Sequence, residues 1–193
     1  MRIVGGRHRG RKLVAPPGGV VRPTSDRARE ALFNILSHGD LAAAGSPLAG
    51  ENVVDAFAGT GALGIEALSR GAARAAFIET DRAALAALRR NLAALDEVDD
   101  ADVVAGDATR PPRAPYQAAV AFLDPPYRSG LAAPALAALA ALAEAGWLAP
   151  RALAIVELAA KEPFSPPPGF AMIDERRYGA AKLVFLRREG GKR

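Results

Sequence analysis

From Glu51 onward, short apolar runs alternate with longer segments whose apolar residues recur every three to four positions. The runs Asn52–Phe57, Ala75–Glu79, Asp102–Ala105, Ala118–Leu123 and Leu153–Glu157 have the look of strands buried on both faces. Between them, Ala62–Arg70, Ala83–Leu95 and Leu131–Ala145 carry helical spacing. That alternation predicts a mostly parallel sheet with helices on both sides. The end of the chain differs. Phe170–Arg177 and Ala181–Arg187 flank Tyr178-Gly179-Ala180, so a hairpin places an antiparallel strand at or near one edge.

Residues 1–50 follow another pattern. Arg2-Ile3-Val4 and Arg11-Lys12-Leu13-Val14 flank Gly5-Gly6-Arg7-His8-Arg9-Gly10, which predicts a glycine-bounded basic hairpin. Pro16-Pro17-Gly18-Gly19 breaks the chain. Thr24 or Ser25 then caps a helix running to about Ser37, with Ala28, Ala31, Leu32, Ile35 and Leu36 on its apolar face. The expected organisation is a basic β-hairpin extension over residues 1–22 and one α/β domain over 23–193 that includes this helix. A chain of 193 residues is long enough to bury a real core.

Composition removes several kinds of chemistry. The chain has no cysteine, which excludes disulfides, thiolate zinc sites and a cysteine nucleophile. With His8 and His38 as its two histidines, no metal centre is expected. No secretory or membrane segment is evident, so the expected location is cytoplasmic, with no membrane partner and a monomeric state. Charge is unevenly spread. Residues 1–30 hold eight Arg or Lys against two acids, whereas the remainder holds 17 basic and 19 acidic side chains. Excess positive charge confined to one end points to a polyanionic partner, with Arg7, Arg9, Arg11, Lys12, Arg22 and Arg27 as its candidate contacts.

Asn52 to Gly64 reads as a strand, a glycine turn and a helix start. Gly59, Gly61 and Gly64 match GxGxxG, and Glu79 follows 20 residues after Gly59 at the end of the next strand. The glycines let backbone approach a ligand, and a carboxylate at that strand end can accept ribose hydroxyls. Dinucleotide enzymes share this geometry, but two further acids argue for a different ligand. Asp55 stands four residues before Gly59, where it suits a positively charged group and repels a pyrophosphate. Asp107, with Ala108 beside it, follows the third strand, where it can accept from an adenine amino group. Acids at three successive strand ends favour S-adenosyl-L-methionine, with Phe57 among the residues around it.

The fourth strand runs directly into Asp124-Pro125-Pro126-Tyr127, 65 residues after Gly59. In open α/β sheets the carboxyl ends of the strands share one crevice, so this tetrapeptide should face the glycine turn. Its residue types fit methylation of a planar amine. The lone pair of such an amine is delocalised into its ring. A carboxylate and a backbone carbonyl, each accepting one N–H, turn it toward an electrophilic methyl. Proline fixes φ and holds its carbonyl rigidly, and Tyr127 offers a face for base stacking.

These motifs resemble class I amino-methyltransferases. Segments Arg2-Ile3-Val4-Gly5-Gly6, Arg9-Gly10-Arg11-Lys12-Leu13, Arg22-Pro23-Thr24-Ser25-Asp26-Arg27 and Asp55 to Ala72 narrow the resemblance to the bacterial rRNA small subunit methyltransferase D family. That resemblance implies a Rossmann-like seven-stranded sheet with an N-terminal β-hairpin. It implies transfer to N2 of one guanine in 16S rRNA, with the small ribosomal subunit as partner. By motif, Asp55, Gly59, Gly61, Glu79 and Asp107 would line the cofactor, and Asp124 to Tyr127 would hold the base. The tetrapeptide alone also suits a DNA or other RNA amino-methyltransferase acting on adenine N6 or cytosine N4, or a protein glutamine methyltransferase.

Overall fold

A computed structural model describes residues 1–16, 23–38, 41, 45–125 and 132–190. Among these, helix α1 (Pro23–His38) precedes β1 (Asn52–Ala56), α2 (Ala62–Ser69), β2 (Arg74–Glu79), α3 (Arg82–Ala94), β3 (Ala101–Ala105) and β4 (Ala118–Leu123). Then follow α4 (Ala132–Glu144), β5 (Leu148–Ala159), β6 (Phe170–Tyr178) and β7 (Ala181–Arg188). The seven strands form one sheet in the order β3-β2-β1-β4-β5-β7-β6. Pairs from β3 to β5 are parallel, and β7 runs antiparallel to both β5 and β6. The expected α/β architecture with a terminal hairpin is thus what forms.

Strand alternation sends side chains to two cores. Val53, Phe77, Val120, Phe122, Ile155 and Phe185 meet α1, α2 and α3 on one face. Val54, Ile78, Leu123, Val156 and Val184 meet α4, Trp147 and Phe170 on the other. Burial on both faces explains the uninterrupted apolar run of β4. No helix among the described residues is long and apolar enough to cross a membrane.

Most element ends shift by one or two residues from the sequence pattern, and the starts of β5 and α1 differ for a physical reason. Strand β5 starts at Leu148, ahead of the expected Leu153, because Leu148 pairs with Ala118 across a register shift. Exposed Pro150 and Arg151, the latter at φ 64°, interrupt the apolar run and hide that pairing from sequence. Helix α1 starts at Pro23, so Thr24 and Ser25 lie inside its first turn. Proline suits this position, since its missing N–H is one the first turn leaves unpaired.

The N-terminal segment folds back as expected, through an antiparallel bridge between Arg2 and Lys12. It lies against the domain with Ile3 and Leu13 buried in the core. Its backbone is held by α2 and α3. Glu66, fully buried, accepts Val4 N–H at 2.8 Å, and Ser69 Oγ accepts His8 N–H at 2.9 Å. Asn91 Oδ1 accepts Val14 N–H at 2.7 Å, while Asn91 Nδ2 donates to Val14 and Thr60 carbonyls.

Candidate active site

Register brings the candidate residues to one edge. Ala56 of β1 pairs with Ile78 of β2 on one side and with Leu123 of β4 on the other. Phe57, Glu79 and Asp124 therefore leave three neighbouring strands at one level. Gly106 N–H donates to the Glu79 carbonyl at 2.9 Å, which adds Asp107 to the same row. The chain crosses from β1 to β2 on one side and later to β4 on the other, so this row is the topological switch point where ligands settle in such sheets.

The glycine turn is shaped by contacts on both its sides. Phe57 takes φ 66°, a conformation costly for a residue with a side chain, and turns the backbone out of β1. Ala58 N–H then donates to Ile78 O at 3.0 Å, and Gly59 N–H to Glu79 Oε2 at 2.7 Å. Two of the three glycines also have packing roles beyond the ligand role their spacing suggested. A side-chain carbon on Gly59 would meet nothing within 4 Å, so this position alone of the three faces open space. One on Gly61 would come within 2.3 Å of Leu88, and one on Gly64 within 2.3 Å of the Phe77 ring. Gly61 and Gly64 thus let α2 pack against α3 and β2. Gly64→Ala tests this directly. Alanine improves helix propensity by about 1 kcal/mol. The clash with a ring fixed in the core costs about 1–3 kcal/mol and wins. Chemical denaturation should show net destabilisation.

Four acids border the turn. Glu79, half-buried, accepts Thr80 and Asp81 N–H on Oε1 at 2.7 and 2.8 Å, besides Gly59 on Oε2. It couples the glycine turn to the start of α3 and retains lone pairs for hydroxyl donors. Asp107 is exposed; Thr109 donates to its Oδ1 from backbone and hydroxyl, each at 2.8 Å, which holds its carboxyl below the usual range. The Ala108 side chain is buried in the α4-side core, leaving its backbone as what it can offer a ligand.

Asp55 is 1% exposed, and its Oδ2 accepts Gly64 N–H at 2.8 Å. Burial pushes its carboxyl up to about 8; the Gly64 and Leu63 N–H groups oppose the rise, and the charge of Glu79 adds to it. In the structure Asp55 has a fold role, anchoring the first turn of α2. Because the folded pKa exceeds the unfolded value of 3.8, Asp55 contributes most stability below about pH 4. That contribution is lost as pH rises to about 8. Asp55→Asn keeps an acceptor for Gly64, so its melting temperature should gain on wild type between pH 5 and 8. Parallel curves in a calorimetric pH series would refute the assignment.

Asp124 is half-buried and Pro125 buried directly after β4. Pro126, Tyr127 and Arg22 lie outside the described residues, and Arg27 belongs to α1 with its side chain outside the description. The other basic candidates lie elsewhere. Arg7 donates to buried Glu97 from Nε at 2.8 Å and Nη2 at 2.6 Å, and Arg11 Nη2 donates to Ala94 O at 2.6 Å. These partners sit at the carboxyl end of α3 and beyond, whereas the acid row adjoins its amino end. Arg7, Arg9, Arg11 and Lys12 are all exposed. Sequence reading missed Glu66 and Glu97 as receptors of the hairpin. Glu66 left one signal, a charge among Gly64–Ser69, all buried.

Open space beside Gly59, with Glu79, Asp107 and Asp124 following neighbouring strand ends, fits a ligand bearing ribose hydroxyls and cationic groups. It opposes a pyrophosphate. A family model described as Conserved hypothetical protein 95 matches residues 1–187. The ribosomal RNA small subunit methyltransferase D of Escherichia coli K12 is 42% identical over 160 residues, 81% of this chain and 74% of that protein. Its namesake in Haemophilus influenzae is 35% identical over 183 residues, 93% and 89% of the two chains. This chain belongs to the rRNA small subunit methyltransferase D family. Among solved structures, the putative methyltransferase yhhF from Escherichia coli matches with TM-score 0.79 at 38% identity, over 98% of both chains. Magnesium protoporphyrin IX methyltransferase from Synechocystis, with bound S-adenosylmethionine, shares the fold alone, at TM-score 0.62 and 16% identity over 89% and 86% of the two chains. The match to the Conserved hypothetical protein 95 model begins at residue 1, so it takes in the docked hairpin as well as the sheet.

Proposed function

We propose that this chain transfers a methyl group from S-adenosyl-L-methionine to the exocyclic N2 of a guanine in 16S rRNA of the small ribosomal subunit. It does so as a cytoplasmic monomer without a metal. One observation carries the reading: β1–β4 register sets Asp124 level with the glycine turn, so an acceptor carboxylate borders the cofactor crevice. Membership of the rRNA small subunit methyltransferase D family supports the ribosomal substrate.

When bound, S-adenosylmethionine supplies an electrophilic methyl group on a sulfonium. Glu79 would accept the ribose hydroxyls, the Phe57–Gly61 backbone would border the amino acid end, and Asp107 with the Ala108 backbone would meet adenine. Asp55 would lie near the ligand's ammonium. A cation there lowers its pKa, so cofactor binding releases a proton and tightens as pH rises toward about 8. Asp124 accepts one N–H of the target amine and the Pro125 carbonyl the other, directing the nitrogen lone pair at the methyl. As nitrogen becomes tetrahedral its N–H protons acidify; Asp124 stabilises the positive charge that develops and accepts the proton that leaves to give the neutral methylated amine. The stacking role of Tyr127 rests on its residue type. A guanine in folded RNA must first be unstacked, at about a few kcal/mol. Arg9 and Lys12 supply phosphate contacts that steer and position the RNA.

Labelled cofactor offered in parallel to small subunits, naked ribosomal RNA, DNA and ribosomal protein tests the proposal. N2-methylguanosine in small-subunit RNA is the expected product. Label in N6-methyladenosine, N4-methylcytidine, DNA or glutamine would overturn it.

A further inference from the structure

Strand β5 is buried and apolar from Ala152 through Leu158 with one exception, the half-buried Glu157. An ionisable group in such a run is costly to desolvate and calls for a purpose. Val156 pairs in parallel register with Leu123, so Glu157 is the next-strand neighbour of Asp124 at the same level. Both side chains lie on one face. Leu153 and Ile155 precede Glu157 by four and two residues, Val120 and Phe122 precede Asp124 likewise, and all four belong to the core beneath α1 and α2. Adjacent strands are about 4.8 Å apart. The cofactor turn lies on the β1 side of β4, so a base whose amine rests on Asp124 has β5 on its other side.

We propose that Glu157 selects guanine by accepting its N1–H while Asp124 accepts an N2–H. This rests on the guanine-N2 reading above. The Asp-Pro-Pro-Tyr acceptors take an amino group from any base, so discrimination must come from a neighbouring group. Guanine presents two adjacent donors, N1–H and the N2 amine. Adenine and cytosine present a ring nitrogen acceptor beside the amine. An ionised carboxylate only accepts, so paired carboxylates complement guanine and set lone pair against lone pair for the other two bases.

The test uses 2,6-diaminopurine, which keeps the 2-amino group but carries an acceptor at N1. It is placed at the methylated position of 16S rRNA by ligation, and small subunits are assembled on it. Wild type should prefer guanine by at least about 100-fold in kcat/KM, since an acceptor at N1 sets lone pair against lone pair in a partly desolvated site. Glu157→Gln can donate to the N1 acceptor, so the preference should fall to about tenfold or less, with S-adenosylmethionine affinity by calorimetry unchanged. The inference is overturned if wild type treats both bases alike, if the variant keeps the wild-type ratio, or if the variant loses cofactor binding. Should the wild-type product on unmodified subunits not be N2-methylguanosine, the functional reading itself fails. If that product is confirmed and the ratio does not move, Glu157 alone is wrongly assigned.

Discussion

Asp124→Ala is expected to lower methyl transfer by at least about 1,000-fold, because it removes both an acceptor for the amine and the charge that meets the developing cation. The loss should fall on kcat, since these interactions are strongest in the transition state. Cofactor affinity should stay within about twofold, because Glu79 and Asp107 follow β2 and β3, beyond β1 from the replaced side chain, and the adjoining Phe57–Gly61 turn offers the cofactor backbone groups. Single-turnover transfer from labelled cofactor, with calorimetry of binding, separates the two effects. An alanine variant that still transfers methyl groups at a comparable rate would remove Asp124 from the mechanism.

The second large effect concerns the amino terminus. Removing residues 1–16 would strip Ile3 and Leu13 from the core, each worth about 1.5–3 kcal/mol of burial. It would also take Val4, Arg7, His8 and Val14 away from Glu66, Glu97, Ser69 and Asn91. A loss of about 3–6 kcal/mol from apolar exposure alone is a large part of a domain's usual stability. The urea midpoint should therefore fall sharply, and an unchanged midpoint would show the hairpin to be a mere appendage. Truncation is accordingly a poor probe of RNA binding. Arg9→Glu and Lys12→Glu are better probes, because both residues are exposed. Each should reduce the salt dependence of RNA affinity by about one unit of log–log slope, with stability unchanged.

Much of the site was legible because its determinants are local. The strand–glycine–helix pattern from Asn52, the acid 20 residues on, and a strand running into Asp-Pro-Pro-Tyr each depend on a few adjacent residues and on chain direction. Parallel strands bring their carboxyl ends together whatever the details, so Asp55, Glu79, Asp107 and Asp124 could be placed on one edge before any coordinates. Less local matters were misread or missed. Three glycines of one motif looked alike, yet only Gly59 faces open space, because Phe77 and Leu88, distant in sequence, claim Gly61 and Gly64. The basic residues of the hairpin looked equivalent, yet Arg7 and Arg11, though exposed, are engaged by Glu97 and the carboxyl end of α3.

Hydrophobic period and turn chemistry thus determined by themselves the α/β class, the run of strands and the reaction type, since each is written in neighbouring residues. Tertiary structure decided which strands flank Asp124, which glycines pack and which stay open, and which basic side chains of the hairpin are engaged by the domain. Those outcomes depend on register and on contacts between segments up to 90 residues apart, such as Arg7 with Glu97. No short window of sequence carries that information, because pairing and docking are settled by the burial and hydrogen bonding of the whole chain at once.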